Sequence, residues 1–169
     1  MREFYQVLED TLILHQLPPY QKTKKRKPVA TSKYYFFDVG VANHLMSRRE
    51  ILPGSPEFGP TLEHLVFLEI KAYLDYERLD LPLTFWRSQT KLEVDFLMGD
   101  GIAIEVKGTK HVSDADLKGL RALAEERKLK RKIVVSRETT PRATNDAIEI
   151  WPIDPFLEAL WAGEFREMV

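Results

Sequence analysis

Cysteine is absent from the 169 residues, which excludes a disulfide framework and every thiolate zinc site. Long apolar runs are missing as well: the longest are about four or five residues, against the roughly 20 needed to cross a bilayer. The first twenty residues carry Glu3, Glu9 and Asp10 and contain no apolar export core. A cytoplasmic protein with no membrane partner is therefore expected. The four histidines (His15, His44, His64, His111) are scattered, without the paired spacing of a catalytic zinc site. Neither a P-loop nor a G-x-G-x-x-G turn occurs, so nothing points to nucleotide binding. Net charge is scarce too, at −1. It is unevenly spread: Lys22-Thr-Lys-Lys-Arg-Lys27 carries +5, which leaves −1 − 5 = −6 on the rest.

What is present describes a globular chain. The 44% apolar and 30% charged residues suit one core-forming domain, or one with a small appendage. Phe4, Val7 and Leu8 predict a short helix leading into an alternating strand, Leu12 to Leu17, which Pro18-Pro19 ends. After the basic run, Tyr34-Tyr-Phe-Phe37 predicts a buried strand and Val39 to Met46 a short helix. These pieces are similar to the tail half of a winged helix. A Pro/Gly-rich loop at 48–60 then separates an appendage at 1–47 from a main domain at 61–169. That domain is expected to run helix (61–77), strands (83–87, 91–98, 102–107), helix (114–127, with Ser113 as N-cap), strands (131–136, 148–151) and helix (154–162). The order implies a mixed α/β sheet flanked by helices.

The chemistry concentrates in Glu93-Val-Asp-Phe-Leu-Met-Gly-Asp-Gly-Ile-Ala-Ile-Glu-Val-Lys107. Strand side chains alternate faces. Leu92, Val94, Phe96 and Met98 are expected on one face of the first strand, with Glu93 and Asp95 on the other. A three-residue Gly99-Asp100-Gly101 loop sets Asp95 opposite Glu105 and Glu93 opposite Lys107, with Ile102, Ile104 and Val106 joining the apolar face. Two carboxylates so placed, with side-chain origins roughly 5 Å apart, repel unless something offsets them. A divalent cation would, and hard oxygen donors suit Mg²⁺ or Mn²⁺. The bland reading of the same residues is a solvated face with a Glu93–Lys107 ion pair. The apolar strands at Leu83–Arg87 and Ile133–Val135 argue against it, because they would place this hairpin inside the sheet.

Asp95, nine residues, then Glu105-x-Lys107, after a helix carrying Glu63, resembles the PD-(D/E)XK nuclease superfamily. Leu12 to Tyr20, Lys33 to Gly40, Gly59 to Val66, Phe85-Trp-Arg87, Glu93 to Phe96 and Glu105 to Lys107 resemble one family more closely. This is the domain of unknown function at the C-terminus of bacterial and archaeal AAA-type predicted ATPases. The resemblance implies a restriction-endonuclease-like mixed sheet with a partial winged-helix piece. It implies Asp95 and Glu105 as metal ligands, with the Val106 carbonyl a further donor. It also implies Lys107 and Glu63 as catalytic residues. Glu63 has a rival in Glu69 and a bland reading as a first-turn acid at a helix N-terminus.

The expected function is a nuclease-like domain that binds Mg²⁺ or Mn²⁺ and cleaves or holds DNA. The alternative is a non-catalytic DNA- or protein-binding module serving an ATPase domain or subunit. Lys22, Lys24, Lys25, Arg26 and Lys27 are candidate phosphate contacts or a solvated tip. Trp86 and Arg87 are expected in the core and in cross-strand pairing.

Overall fold

A computed structural model describes residues 2–166. The N-terminal segment comprises α1 (Arg2–Asp10), β1 (Leu14–Leu17), β2 (Lys33–Phe36) and α2 (Val39–Leu45). β1 and β2 form an antiparallel ribbon with Leu17 opposite Lys33. Asp38 caps α2 by accepting from the Val41 N–H at 2.7 Å. The long helix α3 (Phe58–Tyr76) follows. It starts three residues before the expected Thr61, because proline is tolerated in a first turn and Pro60 therefore does not delay it.

Six strands make one mixed sheet: β3 (Leu83–Arg87), β4 (Glu93–Met98), β5 (Ile102–Lys107), β6 (Arg131–Ser136), β7 (Arg142–Ala143) and β8 (Glu149–Pro152). Their order is β3-β4-β5-β6-β8-β7. β3, β4 and β5 are antiparallel neighbours, whereas β5–β6 and β6–β8 are parallel. A 3-10 turn at Asp114–Leu117 and α4 (Lys118–Glu126) form the crossover between β5 and β6, and α5 (Ile153–Trp161) comes last. The two-residue edge strand β7 has no sequence pattern that predicts it.

Helices cover both sheet faces. On one, Val66, Phe67, Ile70 and Tyr73 of α3 and Phe156 and Leu160 of α5 pack on Phe96, Met98, Ile104, Ile133 and Val135. On the other, Leu120 and Leu123 of α4 pack on Val94, Leu97, Ala103, Val134 and Ile150. Each fully buried Val, Leu, Ile, Phe or Met among these contributes about 1.5–3 kcal/mol. Leu17 of β1 and Tyr35 of β2 belong to the α3-side core, so the N-terminal ribbon shares it. Bridges from Pro19 to Phe85 and from Pro28 to Ser88 lay the intervening segment along the β3 edge.

The β4–β5 turn has the expected form. Met98 pairs with Ile102 around Gly99-Asp100-Gly101, and Gly99 takes the left-handed conformation at φ 57°. The expected single apolar face is not what forms. Thr84 pairs with Leu97 but Trp86 with Val94, so β4 advances three residues where β3 advances two. This bulge changes the face parity of β4. Val94 joins Leu97 on the α4 side, while Phe96 and Met98 face α3. Asp95 lies at the irregularity.

Candidate functional site

At the bulged end of β4 and β5 a cleft of about 620 Å³ opens. Glu63 of α3 lies on its wall, Asp95 and Glu93 of β4 and Glu105 and Lys107 of β5 line it, and Asp116, Lys118 and Gly119 close the α4 side. Its acids are recessed: Asp95 is 6% exposed and Glu105 5%. Its outer cations Arg87, Lys91 and Lys118 are exposed.

The bulge explains how Asp95 is held. In a continued ladder it would stand across from Glu105, but the β4–β5 pairing runs only from Met98–Ile102 to Phe96–Ile104. Beyond that point the Asp95 Oδ2 atom accepts the Val106 N–H at 2.9 Å. Glu105 accepts from Lys107 Nζ through Oε1 at 2.5 Å, and its Oε2 atom is buried without a hydrogen-bond partner among the described residues. Burial, then the charge of Glu63, pushes the Asp95 carboxyl upward in pKa. Burial, then the charge of Asp95, does the same to Glu105. Burial opposes the Lys107 ammonium, but Glu105 outweighs it and holds the proton more tightly than usual.

The expected Glu93–Lys107 pair does not form. Glu93 pairs instead with its cross-strand neighbour Arg87, at 2.6 Å, and with Lys33 at 2.7 Å. The β4 irregularity takes Glu93 out of register with β5, and β3 and β2 supply the nearer cations. Glu63, on the core-facing side of α3, is partnered by Lys33 Nζ at 2.9 Å and by the Tyr35 hydroxyl, which donates at 2.5 Å. Its rival Glu69 lies elsewhere, accepting from Trp161 Nε1 at 2.8 Å.

Lys33 is the site residue that sequence reasoning missed. Its ammonium touches Glu63, Glu93 and, at 3.5 Å, Asp95, and it lies over the Phe85 ring at 5.2 Å. Burial works against its charge, but Glu63, Asp95 and Glu93 outweigh that and raise its pKa. A signal existed. Lys33 and Tyr35 share a strand face by their spacing, and a lysine at core parity needs a carboxylate partner.

The basic run is not a free wing tip. Glu126, 1% exposed at the end of α4, accepts the Lys24 and Lys25 N–H groups at 2.7 Å each. It also takes Arg26 Nη1 at 2.9 Å, and Glu125 takes Arg26 Nη2 at 2.8 Å. Arg26 is thus committed within the fold, while Lys22, Lys24, Lys25 and Lys27 keep exposed side chains. Trp86 is fully buried, and Asp116 accepts the Ser113 N–H and hydroxyl at the expected helix start.

The donors around the cleft floor fit a hard divalent cation such as Mg²⁺ or Mn²⁺ better than a soft metal that seeks thiolate or imidazole ligands. They are carboxylate oxygens, among them the buried Glu105 Oε2 that no described residue partners, and Mg²⁺ commonly takes one or two carboxylates and completes its shell with water and phosphate. Among the described residues no three His, Asp or Glu side chains are grouped as a metal cluster; Asp95 and Glu105 are the two nearly buried carboxylates that line the cleft.

Comparison with known proteins gives the family. The family model described as Domain of unknown function (DUF4143) matches residues 58–156, more than half of the chain. A second, Domain of unknown function (DUF8612), matches residues 1–51. Uncharacterized proteins of Mycobacterium tuberculosis and Mycobacterium bovis are each 28% identical over 113 residues, covering 64% of this chain and 25% of the relative. The chain therefore matches about a quarter of the length of these relatives. No solved structure matches. The chain belongs to the DUF4143 family.

Proposed function

We propose that this DUF4143 member is a nuclease-like module of the PD-(D/E)XK type, with a restriction-endonuclease-like sheet, whose cleft takes Mg²⁺ or Mn²⁺ and a DNA phosphodiester. The observation that carries this reading is the buried, unpartnered Glu105 Oε2 beside Asp95 on the cleft floor. Bound there, a divalent cation would polarise a phosphate oxygen and lower the pKa of a coordinated water. The chain's own residues would do the rest. Asp95, fixed by the Val106 N–H, and Glu105 would hold the cation. Lys107, tethered at Glu105, would present its ammonium to negative charge developing on the phosphate. Arg87, Lys91 and Lys118 would meet neighbouring phosphates at the rim.

Lys33 favours a second reading. Its ion pairs with Glu63, Glu93 and Asp95 already neutralise much of the acidic floor. A module that keeps these residues as fold determinants and binds DNA, or an ATPase domain or subunit, would look the same.

Plasmid and branched DNA incubated with the purified chain in Mg²⁺ or Mn²⁺, alongside Glu105→Ala, separates the two. Cleavage that the variant loses supports the enzyme. Salt-sensitive DNA retention without cleavage supports the binding module. The absence of both cleavage and a cation-induced shift in melting temperature contradicts the catalytic reading.

A further inference from the structure

Lys33 belongs to β2, outside the stretch that matches the DUF4143 model, yet its ammonium ends among carboxylates of two other elements. Glu63 of α3 lies at 2.9 Å, and Glu93 and Asp95 of β4 at 2.7 and 3.5 Å. Phe85 covers it from β3, and only 18% of its side chain is exposed. Tyr35, two residues along the same strand face, donates to the same Glu63 oxygen that Lys33 uses. The β1–β2 ribbon is thereby fastened to the acidic end of the cleft through two side chains.

Asp95 is shared. It is the longest of the three Lys33 contacts, at 3.5 Å, and also one of the two carboxylates that would take the divalent cation. Two positive groups at one buried carboxylate repel strongly at low effective dielectric. The three contacts differ in a way that gives the ammonium somewhere to go, because Glu63 and Glu93 hold it more closely than Asp95 does.

We propose that Lys33 is a resident counter-ion of the site that competes with the divalent cation for Asp95. Cation loading displaces the ammonium from Asp95 onto Glu63 and Glu93 and leaves the β1–β2 ribbon attached. The ribbon thereby sets the affinity of the site, and any partner that draws it away makes the floor more receptive to a cation. This inference rests on the reading of Asp95 and Glu105 as cation ligands. Lys33 acts here as a positioning residue: it tunes how the ligands bind.

The test is Mn²⁺ binding to the full chain, followed by the electron paramagnetic resonance of free Mn²⁺, in wild type, Lys33→Gln and Lys33→Arg. Removing the charge is expected to tighten Mn²⁺ binding by at least about tenfold, given the strength of charge repulsion at this range. Lys33→Arg, which keeps the charge, should stay near wild type. Equal or weaker Mn²⁺ binding by a folded Lys33→Gln overturns the proposal while leaving the cation site standing. No binding by wild type or either variant overturns both together. Where Lys33→Gln does not fold, the Lys33 side-chain nitrogen resonance of the unaltered chain decides. It should move on Mg²⁺ titration with the same midpoint as the Glu105 carboxyl, and a resonance that stays still while Glu105 responds overturns the proposal.

Discussion

Gly119 in α4 lies so close to the carbonyl of Glu93 that a Cβ on it would come within 1.8 Å of that oxygen. The contact seats the first turn of α4 directly on β4, at the wall of the cleft, and only glycine permits it. Gly119→Ala must push the helix off the strand. It is expected to cost about 3 kcal/mol, the upper part of the overpacking range, in a urea melt. A loss below about 0.5 kcal/mol, the scale of a neutral surface change, would show that α4 does not sit so close.

Glu126 is the anchor of the basic segment. Its carboxylate serves two backbone N–H groups and Arg26 from an almost fully buried position. Glu126→Gln keeps the shape but loses the charge and leaves a donor facing donors. It should destabilise the chain by about 2–3 kcal/mol, since bonds to a charged group are the strong ones. Limited proteolysis should then cut near Lys24 and Lys25 before the rest of the chain. Unchanged protection there would contradict the anchoring role.

The acid limb of stability should carry the mark of Glu138. Arg142 donates to it twice at 2.8 Å and the Val112 N–H once at 2.7 Å. With Arg142 as the main cause, its carboxyl falls from 4.5 to about 2. A depressed carboxyl contributes stability that is present above pH 4.5 and is lost as the pH falls toward 2. Glu138→Gln should therefore be less stable than wild type by about 2 kcal/mol near neutrality, reduced from the full linkage value because Arg142 is partly solvated. The gap should close as the pH approaches 2. A gap that is constant with pH would assign the effect to packing.

How much of this was legible beforehand follows from the range of each interaction. The Asp95–Glu105 neighbourhood and the Gly99-Asp100-Gly101 turn could be read because period-2 alternation and loop length fix register locally. The β4 bulge could not. No glycine or proline marks it, and Trp86 and Val94, which pair beyond it, are both buried on the α4 side. Lys33 is remote in sequence from Glu63 and Asp95, and beside Tyr34-Tyr-Phe-Phe37 it reads as the polar start of an apolar strand. The fate of the basic run depended on Glu126, which the sequence presents as one more acid at the end of a charged helix.

The rim cations give a prediction of binding separate from chemistry. Lys91 and Lys118 are exposed at the cleft edge. If they meet phosphates of double-stranded DNA, replacing each by alanine lowers the slope of log affinity against log salt by about 0.9. Fluorescence anisotropy with a labelled duplex at several salt concentrations reads this directly. Unchanged slopes would move the DNA path away from this edge.

The most direct measurement of the central claim counts Mn²⁺ ions bound per chain at equilibrium, in wild type and in the Asp95→Asn, Glu105→Gln double variant. The account predicts Mn²⁺ held by the wild type and lost from a variant that still melts cooperatively. A wild type that retains no Mn²⁺, or a variant that retains it with unchanged affinity, would contradict a cation site built on these two carboxylates.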